Sequence, residues 1–164
     1  MTCVDLQQTY YLVHFQLFKN DYYTFWYTDE FDGFLLDGRG MLQSFPTKDA
    51  AVLFAEEEGF LLDTDELFLS SAILRNINCR NLDCNLVLNH WNTFSDIAHS
   101  IHAVFIGDNR DNEMIQQIYE KLFYGCNLLL KENEQPYRPV WNLTERRWIA
   151  RVMRDGLKIL AKGL

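Results

Sequence analysis

The most chemistry-like spacing in the chain belongs to three histidines and an aspartate. His90, Asp96, His99 and His102 fall in one segment. On a helix, His99 and His102 would share a face, with Asp96 one turn earlier. With a fourth ligand and an open coordination position, such a set could activate water on a metal ion. The chain would then be a small metal-dependent hydrolase using His90, His99, His102 and Asp96. The pattern is weak, however. HExxH is absent, and H-x-x-H alone more often marks surface or capped histidines on an amphipathic helix.

A second group is acidic. Asp29, Glu30, Asp32 and Asp37 follow an aromatic stretch at 22–32, YYTFWYTDEFD. Four carboxylates can hold a divalent cation. Beside Trp26 and Tyr27 they read better as the charged rim of an apolar docking surface, or as an ordinary solvated turn. No Walker loop, GxGxxG or GxSxG is present. Gly33, Gly38 and Gly40 fall between strands and not ahead of a helix, so they form no phosphate cradle. Cys79 and Cys84 are too far apart for a CxxC site, and no second pair exists. With Cys3 and Cys126 they are expected to be reduced thiols.

The elements that must position these residues follow from periodicity. Residues 10–18 and 22–28 read as a β-hairpin around Lys19-Asn20-Asp21, and 31–37 and 41–45 as further short strands. Adjacent aromatics at 22–27 point rings to both sides of a sheet, so that strand needs cover on both faces. Thr47 caps a helix ending at Gly59. Residues 60–62 form a short apolar run, read as a strand. Asp63-Thr64-Asp65-Glu66 resembles an N-cap, which predicts a helix through Leu74. A longer helix spans 86–105 with a break near Thr93–Ser95, where Ser95 could cap the second part. An amphipathic helix covers 111–124 with Gly125 beyond it, and Thr144 caps a last one. Strands first and helices after predict an α+β fold: a small antiparallel N-terminal sheet against several C-terminal helices, in one domain over 1–164.

Trp91 stands among Asn89, His90, Asn92 and Thr93. Polar residues around one tryptophan either order a buried network or line a pocket. The residues favour the structural network, with Asn92 and Asp96 as its members.

Charge narrows the function classes. The 164 residues carry a net charge of −8, with 48% hydrophobic and 15% aromatic content, which excludes a disordered chain. From Arg138 onward seven basic residues face two acids, leaving −13 for residues 1–137. An acidic body argues against direct nucleic-acid contact, and the basic C-terminal helix reads as its internal counter-charge. The N-terminus lacks a signal-peptide pattern and no apolar run reaches ~20 residues, so a cytoplasmic chain without membrane contact is expected.

Three segments in order carry a resemblance: 86–101 (LVLNHWNTFSDIAHSI), 118–128 (IYEKLFYGCNL) and 137–141 (YRPVW) followed by Glu145. The pattern resembles immunity proteins of bacterial contact-dependent growth inhibition, in the subgroup that neutralises metal-dependent DNase toxins. The resemblance covers nearly half the chain. It implies a non-enzymatic antitoxin that needs no cofactor and binds a basic nuclease toxin domain at the C-terminal end of a large secreted protein. It also implies β-augmentation, in which a toxin β-hairpin extends the immunity protein's sheet. On that reading Trp26 and Tyr27 supply apolar contact, Asp29, Glu30, Asp32 and Asp37 select a basic partner, and Trp91, with Asn92 and Asp96, organises the floor of the binding pocket. A monomer is expected. Besides the hydrolase, the remaining alternative is a helical-face adaptor or homo-oligomer.

Overall fold

The structure, a computed structural model, describes residues 8–164; Cys3 lies outside them. Strands β1 (Thr9–Leu17) and β2 (Asn20–Tyr27) form the antiparallel hairpin, in register from Tyr10↔Tyr27 to Leu17↔Asn20. Its turn is Phe18-Lys19, so Asn20 and Asp21 belong to β2 and not to the turn. Phe18 takes φ +56°, a left-handed conformation unusual for a bulky residue. Its N–H donates to Ser71 Oγ at 2.8 Å.

The two strands expected over 31–45 shrink to β3 (Gly33–Phe34), with isolated bridges Tyr23↔Phe45 and Leu36↔Leu42. Asp37 explains the shortening. Its Oδ1 accepts from the N–H groups of Arg39 and Met41, which winds the chain into a tight turn. Gly40 completes that turn at φ +78°.

Helix α1 (Lys48–Glu58) starts and stops as its sequence predicts. Thr47 accepts from Ala50 N–H, and Gly59 ends it in the left-handed region. It carries the chain across the sheet to the far edge, where β4 (Leu61–Ser70) pairs parallel to β1. Two expectations fall here. The sheet is mixed, in the order β3-β2-β1-β4, because a helical crossover returns the chain parallel to β1. And the helix expected over 63–74 is a strand, followed only by the single turn α2 (Ile73–Asn76). The acids that resemble an N-cap lie in a β-bulge instead: Leu62 to Glu66 span the gap opposite Tyr10 to Leu12. Pairing with β1 overrides local capping chemistry there.

Helix α3 (Cys84–Ser100) runs unbroken through Thr93–Ser95, whose hydroxyls donate to Asn89 O and Asp108 Oδ1. Helix α4 spans Glu113–Gly125 and helix α5 Leu143–Gly163. The α5 cap is Asn142, in a reciprocal box with Glu145, and not Thr144. Gly125 is the last helical residue of α4, not a left-handed stop; a Cβ there would lie 2.5 Å from Cys84 Sγ.

The hairpin's two faces feed two cores. Val13, Phe15 and Leu17 join Trp91, Phe94, Val152 and Met153 of α3 and α5. Leu12 and Phe25 join Ala51, Ala55 and Phe54 of α1. The aromatic strand β2 therefore has the two-sided cover its composition demands, with burial of a ring such as Phe25 contributing roughly 2 kcal/mol. Two helices cross closely enough that a Cβ on Gly156 would meet the Phe94 ring at 2.0 Å.

Candidate functional site

A residue in a strand turns its N–H and C=O to the same side, and the side alternates along the chain. Ser71 N–H donates to Gln16 O of β1 at 2.9 Å, so Leu69 and Leu67 also face β1. Ser70, Phe68 and Glu66 face outward. The Ser70 groups are met by His90 of α3: Nε2 lies 3.2 Å from Ser70 N, while Nδ1 lies 2.8 Å from Leu86 O. Because Leu86 O can only accept, Nδ1 carries the proton and Nε2 accepts from Ser70. His90 is buried, and burial lowers its pKa against the opposing pull of its bond to Leu86 O.

Beyond His90 the edge is open. Among the described residues no strand pairs with the outer side of β4. Asp65, Glu66, Leu67 and Phe68 are exposed along it. Phe68 rests its ring on His14 at 5.0 Å yet stays 54% exposed. Glu66 pairs with Lys48 of α1 across the solvent-facing side. The strand thus offers unpaired backbone, two apolar side chains and the bulge acids Asp63 and Asp65.

The opposite edge is closed. Phe34 N–H donates to Ser100 Oγ at 2.9 Å, and Leu42 N–H to Gly163 O at the end of α5.

Beside that closed edge, a cleft of 440 Å³ brings Tyr27, Asp32 and Asp96 together with Phe31 and His99. Trp26, half-buried against α3, donates its indole N–H to Asp96 Oδ2 at 3.0 Å. The Asp96 carboxyl is pushed up to about 6, first by burial. The Trp26 bond and His99 oppose that shift, while Asp32 and Asp108 add to it. A carboxylate kept costly in this way stands ready for a cation from outside.

The other sequence-singled residues scatter. Asp29 and Glu30 are exposed in the loop after β2. Asp37 is occupied in its own turn, where the N–H of Arg39 and then that of Met41 hold its carboxyl below the usual range. Trp91 is a core residue, 2% exposed, with its N–H donated to Gly107 O. It floors a second cleft of 460 Å³ whose wall includes Asn92, bonded through Oδ1 to the Tyr119 hydroxyl.

The histidines do not converge. His90 has both ring nitrogens engaged by backbone, and His99 Nε2 lies 3.6 Å from Asp108. His102 lies past the end of α3 at φ +56°, so it does not share a helix face with His99. Among the described residues no three His, Cys, Asp or Glu side chains are placed to hold a metal ion. Cys79, Cys84 and Cys126 are free thiols; burial, then Cys126, pushes Cys84 up to about 11.

Sequence reasoning reached only the start of β4, at 61–62, and read the rest as a helix. A signal was there in Thr64 and Phe68, residue types that favour strands, but the acids beside them outweighed it.

Fold and surfaces together define an α+β domain with a four-stranded mixed sheet, capped by helix groups at the β3 edge and, among the described residues, unpaired along the outer side of β4. Comparison of the chain with protein-family models, with curated proteins and with solved structures found no match. Among the described residues no helix is long and apolar enough to cross a membrane.

Proposed function

We propose that this chain is an immunity protein of the contact-dependent growth inhibition type, which neutralises a basic nuclease toxin domain in the cytoplasm by accepting a toxin strand on the outer edge of β4. The observation that carries the reading is that edge: a ten-residue strand with exposed Leu67 and Phe68 and the bulge acids Asp63 and Asp65, Glu66 being paired with Lys48. An edge left open is an aggregation hazard, which acids and a bulge restrain without closing it. The same acids favour a basic strand over the chain's own acidic body. Backbone pairing supplies affinity, and the −13 of residues 1–137 speeds encounter with a DNA-binding toxin.

The cleft at Tyr27, Asp32 and Asp96 supports the same partner chemistry, since an arginine or lysine entering it would relieve the cost of the Asp96 charge. The reading needs no catalytic step.

Co-expression with nuclease toxins of growth-inhibition systems tests it: survival is expected with the cognate toxin, and failure to rescue from, or bind, any of them overturns it. The edge itself is tested by Phe68→Pro against Phe68→Ala. Both remove the ring, but only proline removes the outward donor. Proline should weaken toxin binding at least ~10-fold relative to alanine. Equal affinity of the two variants would take β4 out of the interface.

A further inference from the structure

The exposed apolar side chains concentrate far from the β4 edge in sequence, around the end of α4 and the start of α5. A groove of 590 Å³ lies between α4 and the segment that follows it, walled by Tyr124, Leu128, Leu129 and Tyr137. Leu129 is 71% exposed. Next to this recess stands a protrusion, Val140 and Leu143, exposed by 84% and 64%. The two are tied together by Lys121, which lines the groove and donates to Val140 O at 2.6 Å and to both Glu145 oxygens at 3.0 Å.

Their charges are opposite. The groove carries Glu120 and Glu134, and its one lysine is already neutralised by Glu145. The protrusion is flanked by Arg138 and Arg147, both exposed and without an ion-pair partner among the described residues. One face of one chain therefore holds an acid-rimmed apolar recess and, adjoining it, a base-rimmed apolar protrusion. A contiguous apolar surface of this kind calls for an occupant. A foreign segment would account for the recess and leave the protrusion and its arginines unexplained.

We propose that the occupant is a second copy of this chain, related by a two-fold axis, with the protrusion of each copy seated in the recess of the other. An isologous contact uses both halves twice and closes on itself, so it gives a dimer and no filament. The dimer departs from the monomer expected of the sequence, and it does not rest on the toxin reading.

Sedimentation velocity of the full chain over a wide concentration range tests it. A reversible dimer that weakens with salt is expected, and a monomer throughout overturns the proposal. Leu129→Glu and Val140→Glu should each abolish the dimer while leaving the thermal midpoint near wild type, since both positions are exposed. The decisive arm is charge exchange. Glu120→Arg/Glu134→Arg places bases on recess and protrusion alike; Arg138→Glu/Arg147→Glu places acids on both. Each chain alone should be monomeric, and an equimolar mixture should form a heterodimer. Dimerisation that survives these substitutions, or a mixture that stays monomeric, would also overturn it.

Discussion

The two edges of the sheet are built from similar material and end differently. At the β3 edge the ladder shrinks to two residues, and helix and turn groups meet the N–H groups there: Ser100 Oγ for Phe34, Gly163 O for Leu42, Asp37 for the turn. At the β4 edge ten residues stay extended; among the described residues Ser70 is met by His90 and the Asp65 N–H by Asp63 Oδ1, and no strand pairs with the outer side. Helix α3 contributes to both edges. Its C-terminal end supplies Ser100 to Phe34 on one side; its middle supplies His90 to Ser70 on the other. Side-chain hydroxyls and helix ends can thus cap sheet-edge groups without another strand. Leaving one open is then a property of where the helices end, and it costs protection against aggregation.

The largest test of this contrast is His90→Ala. It removes a buried ring and uncovers Ser70, and should cost about 3 kcal/mol of unfolding free energy by urea titration. A loss under about 1 kcal/mol would show that β4 does not depend on its single tie to α3. On the closed side, Ser100→Ala leaves the buried Phe34 N–H without its acceptor and should cost about 1.5 kcal/mol.

Asp96→Asn keeps an acceptor for Trp26 and removes the costly charge. The shift to about 6, discounted for the solvent on the open side of this half-buried group, gives a stabilisation of about 1 kcal/mol at pH 7. Its pH signature is distinctive. A carboxyl raised in the folded state above its unfolded value of ~3.9 destabilises at neutral pH, and stability recovers as pH falls from about 6 towards 4. His90 acts in the opposite direction. Its pKa is lowered on folding, so its contribution is complete above the unfolded value of ~6.5 and declines as pH falls below it. Thermal melts of the two variants between pH 4 and 7 should therefore diverge from wild type with opposite slopes, and parallel curves would contradict both assignments. The smallest expected effect is on the open edge: Phe68→Pro should differ from Phe68→Ala in stability by less than about 0.5 kcal/mol, because no ladder bond is lost.

Much of the scaffold was legible. The Thr47 cap and Gly59 stop of α1, the stripe of α4 and the aromatic hairpin all carry local signals strong enough to survive folding. Where residues stood in conflict, packing decided. Asp63-Thr64-Asp65-Glu66 has helix-start chemistry, yet β1 already presented an unpaired side that the strand fills. Thr93 and Ser95 look like a break in α3, but a threonine hydroxyl can bond back to the preceding turn and leave the helix intact. The site was legible in part: Tyr27, Asp32 and Asp96 meet around one cleft, whereas Asp37 is consumed by its own turn and Trp91, a core residue, floors a different cleft with Asn92 in its wall.

By itself the sequence determined that this is an α+β chain with an acidic body, a basic last helix and an aromatic strand needing cover on both faces. Those properties follow from composition and period, which act over a few residues and survive any arrangement of the elements. Which edge stays open was decided only in three dimensions. Strand order depends on where α1 delivers the chain after crossing the sheet, and on which helix atoms arrive at each edge; Ser100 reaches Phe34 across 66 positions and His90 reaches Ser70 across 20. No local pattern encodes such distances, because they are set by packing helices of fixed length against a sheet of fixed spacing.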